Sequence, residues 1–125
     1  MTQAAAIRIA ARYVESFHVE AMSNLLPRRT GVRGAVIWVS PGEFSGVDVQ
    51  HGPRIKVMLG EKTTTEGLHA AVSVTLTNPP RVLGVLPGRV RGQVFAFINK
   101  NLDVLLRHWR GELDPGDVLE LIERV

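Results

Sequence analysis

The hydrophobic patterning of this chain predicts an α+β domain: an N-terminal helix, a four-stranded, mostly antiparallel meander, and two C-terminal helices packed on one face. Three observations carry that expectation. Apolar residues recur at helical spacing over residues 3–23 and again after Pro87. Between these segments lie four short runs with strand-like patterns. Strands grouped together and followed by helices, rather than alternating with them, favour antiparallel pairing.

The first helix is expected over 3–23. Ala6, Ala10, Tyr13, Val14, Phe17 and Ala21 share one face, and Arg8, Arg12 and Glu15 share the other. Leu26-Pro27 ends it, because the residue before proline is pushed out of the helical region. PRRTGVRG then reads as a basic loop, with Gly31 and Gly34 permitting tight turns. AVIWVS (35–40) is an unbroken apolar run, as expected of a strand buried on both faces. After a long loop, RIKVML (54–59) alternates, so one of its faces is wet. GEKTTTEG reads as a turn or loop. In HAAVSVTLT (69–77), Val72, Val74 and Leu76 are expected to point inward and Ser73, Thr75 and Thr77 outward. Asn78-Pro79-Pro80 makes the next turn, and RVLGVL (81–86) is the fourth expected strand.

From Pro87, Val94, Phe97, Ile98, Leu102, Leu105, Leu106 and Trp109 form the apolar stripe of a long helix, which Gly111 caps. Asp114 as N-cap and Pro115 at the first helical position begin a short final helix. Its expected buried side is Val118, Leu119, Ile122 and Val125. No repeat or low-complexity linker interrupts the chain, so residues 1–125 read as one domain.

Composition narrows the function classes. Of the 125 residues, 45% are hydrophobic and 22% charged, which is ordinary for a globular domain large enough to bury a core. The absence of cysteine excludes disulfides and thiolate metal sites, and suits a cytoplasmic location. Arg8 and Arg12 break the apolar N-terminal stretch, so neither a signal peptide nor a membrane span is expected. The net charge is +3, unevenly spread. Residues 81–110 carry Arg81, Arg89, Arg91, Lys100, Arg107 and Arg110 against Asp103 alone. Residues 111–125 reverse this, with Arg124 alone among Glu112, Asp114, Asp117, Glu120 and Glu123. Such a chain can attract a polyanion, or can pair its acidic last helix with the basic helix before it. The small net charge favours self-pairing.

Two groups of residues are candidate sites. The first is His51, Arg54 and Lys56, extended by Arg28, Arg29 and Arg33 if the loops preceding the paired strands lie together. A metal-free ribonuclease needs a base for the 2′-hydroxyl and cations for the phosphorane charge, and these residue types supply both. A second acid/base group is not evident, since His18, His69 and His108 have no spacing that points to the same place. A surface hairpin that makes contacts is therefore the favoured reading of this cluster. The second group is the helix stripe of Arg89, Lys100, Arg107 and Arg110, where cations could track phosphates. Phe97, Trp109 and Trp38 fall on apolar positions and read as core, not as stacking platforms. Glu43, Asp48 and His51 lack metal-ligand spacing, and Gly84, Gly88 and Gly92 match no phosphate-binding fingerprint. No metal and no cofactor are expected.

Taken together, AVIWVSPGEFSGVDVQHGPRIKVMLG and VLGVLPGRVRGQVFAFINKNLDVLLRHWRGELD resemble a family of small bacterial proteins of unknown function. The shared features are His51-Gly52-Pro53 in a hairpin, Leu86-Pro87 ending a strand, and a helix with Leu105-Leu106 and Trp109. This chain departs from the pattern in having only His51 where the family segment is richer in histidine. Such proteins are often encoded beside a second small protein, in toxin–antitoxin-like, phage or mobile-element settings, which implies a partner protein. The expectation is a binding protein for a partner protein or a nucleic acid, using Arg28, Arg29, Arg33, His51, Arg54, Lys56, Arg107 and Arg110. The choice between those ligands, and self-association, stay open at the level of sequence.

Overall fold

A computed structural model describes residues 22–42 and 52–125. Its elements, in order, are β1 (Ser23–Leu25), α1 (Pro27–Thr30), β2 (Ala35–Val39), β3 (Arg54–Leu59), α2 (Thr65–His69), β4 (Val72–Thr75), β5 (Val82–Leu83), α3 (Gly88–Trp109) and α4 (Pro115–Leu121). The strands form one five-stranded antiparallel sheet in chain order. The α+β class and the meander are as expected, but the sheet has one more strand.

That strand, β1, lies where the first helix was expected to end. The rest of that helix falls outside the described residues, but Ser23–Leu25 pairs with β2, Leu25 opposite Ile37. Three residues are too few to show a two-residue period, so the strand exists only through its partner. The basic loop after it holds a one-turn helix, α1, with Pro27 at its start. Gly31, at φ 81°, closes this turn by donating its N–H to Pro27 O at 2.7 Å.

All five residues of β2 are buried. Ala35, Ile37 and Val39 face the main core with Ile55, Val57, Val74, Phe97, Ile98 and Val118. Val36 and Trp38 face the other way, into a second cluster with Met22 and Met58. The helices consequently divide. Both C-terminal helices pack on the main core, whereas α2 brings Leu68 to the second cluster. This corrects the expectation that residues 60–67 form only a turn or loop and that strand begins at His69. Thr64 caps α2, its hydroxyl accepting from Gly67 N at 2.9 Å.

β4 is shorter than expected, and Thr75, on the face away from the main core as expected, is nonetheless buried. Its hydroxyl lies 2.7 Å from that of Thr77 and accepts from Arg81 N at 2.8 Å, which makes the burial tolerable. β5 keeps only two residues. Gly84, at φ 141°, and Val85, 85% exposed, follow it.

α3 holds the expected stripe, with Val94, Phe97, Ile98 and Leu105 buried and Gly111 just past its end at φ 79°. Trp109 is only half-buried and lies against Gly42, where a Cβ would overlap the indole. α4 has the expected Asp114 cap, completed by Asp117 into a reciprocal capping box with bonds of 2.8 and 3.0 Å. Val118 is buried and Ile122 partly so, but Leu119 and Val125 are exposed. A seven-residue helix on a flat core buries a narrower stripe than its sequence offers.

Two measurements follow from this packing. Leu105 is 2% exposed, so Leu105→Ala should lower unfolding free energy by about 2–5 kcal/mol in urea titrations. An unchanged midpoint would contradict its core placement. His108 is 1% exposed, and its Nε2 has no hydrogen-bond partner. Burial lowers its pKa from the ordinary 6.5, against a smaller opposing effect of the Asp114 charge. Below 6.5 the unfolded chain therefore binds this proton more readily than the folded protein. The stabilisation is full above that pH and is lost as pH falls toward the folded-state pKa, by at most about 1.4 kcal/mol per pH unit. Urea midpoints between pH 7.5 and 5.5 should fall more steeply for the wild type than for His108→Phe. Equal slopes would show that His108 takes up its proton alike in both states.

Candidate functional site

Antiparallel pairing decides which candidate residues can meet. Ala35 sits opposite Leu59 and Trp38 opposite Lys56, so the start of β2 lies beside the end of β3. Gly60 N donates to Gly34 O at 2.8 Å and closes that end. Arg28, Arg29 and Arg33, which precede β2, therefore occupy one end of the strand pair. Arg54 and Lys56, at the start of β3, occupy the other. From Ala35 to Trp38 the strand alone spans roughly 10 Å, and Arg33 lies beyond its start. The two basic loops do not come together as a single site.

At the β3 end, alternation places Arg54 and Lys56 on one face, as expected, and both are half-buried. The Arg54 guanidinium carbon lies 5.7 Å from the centroid of the Trp109 ring, within cation–π range. Arg54 Nη1 also donates to Gly52 O at 3.3 Å. With Trp38, Ser40 and Met22 these residues line a cavity of about 10 Å³, the size of one water molecule. Arg54 thus serves in packing the end of α3 against the sheet. His51 lies outside the described residues. Of the other histidines, His69 is exposed at the end of α2 and His108 is in the core.

On the helix stripe, Arg107 meets Asp103 at 3.9 Å and Arg110 meets Glu112 at 4.0 Å. These are long, solvent-exposed pairs of small energetic value. The acidic last helix is not their partner among the described residues. Lys100 instead donates to the backbone carbonyl of Arg124 at 2.9 Å.

The opposite end holds the concentrated charge. Arg28 on α1, Arg33 before β2 and Arg124 after α4 line an open depression of about 400 Å³ with Leu26, Pro27 and Glu61. Among the described residues none of the three arginines makes an ion pair. Arg29 is exposed beside Arg28 on the same turn. Among the described residues Glu61 is the single carboxylate of the lining, and its Oε1 accepts from Gly34 N at 3.4 Å, a long and weak hydrogen bond. The backbone N–H of Arg33 is held by Gln93 Oε1 of α3 at 2.8 Å, which anchors the arginine turn to the helix.

No family model, curated protein or solved structure matches the chain. The site is therefore read from its own chemistry. Among the described residues no three His, Asp or Glu side chains cluster as metal ligands, and no helix is long and apolar enough to cross a membrane. What the depression offers is three planar, permanently charged donor forks in a lining shared with Leu26, Pro27 and Glu61. Such an arrangement recognises carboxylates or phosphates by paired hydrogen bonds. Arg28, Arg29 and Arg33 were visible as a basic cluster in the sequence. Arg124 was not, because it stands alone in an acidic segment and reaches the site only through tertiary folding.

Proposed function

We propose that this protein acts by binding, and that its arginine-rimmed depression receives acidic side chains of a partner protein. The supporting observation is the convergence of Arg28, Arg33 and Arg124, from three separate segments, on one concavity with no ion pair among the described residues. Three cations share the lining with one carboxylate, Glu61, and an external anion relieves the repulsion of the excess positive charge.

The apolar part of the lining favours a protein over a nucleic acid. Leu26 and Pro27 are aliphatic, and Leu59 nearby is 50% exposed. Guanidinium groups around an apolar centre are typical of protein interfaces. A phosphate track has no use for such an apolar lining, and among the described residues no aromatic side chain lines the depression for a base to stack on. The resemblance to small bacterial proteins encoded beside a second protein points the same way. The ribonuclease alternative keeps Arg54 and Lys56 together but loses its extension to Arg28, Arg29 and Arg33 at the other end of the strand pair, and its Arg54 guanidinium lies over Trp109.

Binding to immobilised poly-L-glutamate and to single-stranded DNA of matched charge tests the proposal. The wild type should bind the polypeptide at low salt, and more tightly than the DNA. Arg28→Glu/Arg33→Glu should weaken this roughly tenfold or more, since attraction becomes repulsion at two rim positions. Arg107→Glu/Arg110→Glu should leave it unchanged. Equal losses in both double variants, or retention by DNA alone, would overturn the proposal.

A further inference from the structure

We infer that Asn101, which does not line the depression, positions Arg124 within it by gripping the backbone of residue 123. The inference rests on the reading of the depression as the partner site. α3 is interrupted at Asn101, whose φ of −117° and ψ of 17° are not helical. The residue is 2% exposed, at a core position where an apolar side chain would be the ordinary choice.

Its carboxamide accounts for both oddities. Nδ2 donates to Phe97 O at 2.9 Å and to Glu123 O at 2.9 Å, while Oδ1 accepts from Glu123 N at 2.7 Å. Asn101 thus engages both backbone groups of one residue, as a neighbouring strand would. Each of the next two residues is held by one backbone hydrogen bond. Lys100 Nζ donates to Arg124 O at 2.9 Å, and Val125 N donates to Thr30 O at 2.9 Å. Thr30 is itself fully buried, its hydroxyl accepting from Val32 N at 3.0 Å. Gly31 leaves room for the Val125 carbonyl, which a Cβ there would overlap. Ile122, at φ −67° and ψ 146°, turns the chain out of α4 into this extended strap. Arg124 is therefore fixed by its backbone on both sides, with its side chain alone left to reach a ligand beside Arg28 and Arg33. A cation held in place before binding loses less freedom on binding.

The test is a double-mutant cycle between Asn101→Ala and Arg124→Ala, read by titration with labelled poly-L-glutamate and by amide hydrogen exchange. Arg124→Ala should weaken binding roughly two- to fivefold, the effect of one exposed ion pair. Asn101→Ala should weaken it by the same factor and speed exchange at Glu123 and Val125, while β2 stays protected. The double variant should be no weaker than Arg124→Ala. Additive losses, or full binding by Asn101→Ala with its strap amides exchanging freely, would overturn the inference. Should Asn101→Ala expose the β2 amides, Gly31→Ala loosens the strap from its other side and must show the same non-additivity; unaltered binding there refutes the positioning role. Binding sensitive to Arg28→Glu but not to Asn101→Ala defeats this inference alone. Indifference to both Arg28→Glu and Arg124→Ala defeats the reading of the site.

Discussion

Burial of β2 on both faces is the constraint from which the rest of the arrangement follows. Ala35, Ile37 and Val39 need one cover, and Val36 and Trp38 need another. A slip of one residue would exchange the two sets, turning the indole of Trp38 into the space shaped for Ile37. The register with β3 is therefore tightly specified, and with it the ends at which the flanking loops emerge. α3 covers one face with Phe97 and Ile98, while α2 and Met22 help cover the other.

That register separates the two groups of cations along the strands. At one end the Arg54 guanidinium lies over the Trp109 ring, within cation–π range. At the other, Arg28, Arg33 and Arg124 come together around Leu26 and Pro27. The balance between these ends is one of solvent exposure. A half-buried guanidinium stacked on an indole stabilises the fold locally, whereas exposed guanidinium groups on a loop and a strap contribute little to it and remain available to a ligand. The strap is fastened through its own backbone, by the side chains of Asn101 and Lys100 and the Thr30 carbonyl, so its side chains are free of structural duty except where they meet the core.

Much of the fold was legible because its signals are local. The stripe from Val94 to Leu105, the Asp114-Pro115 start of α4 and the apolar run of β2 each carry their own evidence within a few residues. The elements that were misread lack such evidence. β1 is three residues long and is a strand only because β2 accepts it; α2 is a five-residue helix whose threonines and glycine read equally well as a turn. Thr75 keeps the face that alternation gives it, but it is buried there among hydroxyl partners that no alternation pattern reveals. The site divides along the same line. Arg28, Arg29 and Arg33 were apparent as neighbours in the chain, whereas Arg124 and Glu61 join them through contacts between segments distant in sequence. Asn101 was invisible for the same reason, as a polar residue on a helix with its partner 22 positions away.

The central claim is that the arginine end of the sheet, and not the Arg54 end, meets acidic ligands. Backbone amide NMR of the labelled protein during titration with a short oligoglutamate peptide examines it most directly. The account predicts that shifts concentrate at Arg28, Arg29, Arg33, Gly34 and Arg124, with Arg54, Lys56 and the end of α3 unmoved. Shifts centred on Arg54, Lys56 and Trp109, with the arginine end silent, would contradict it.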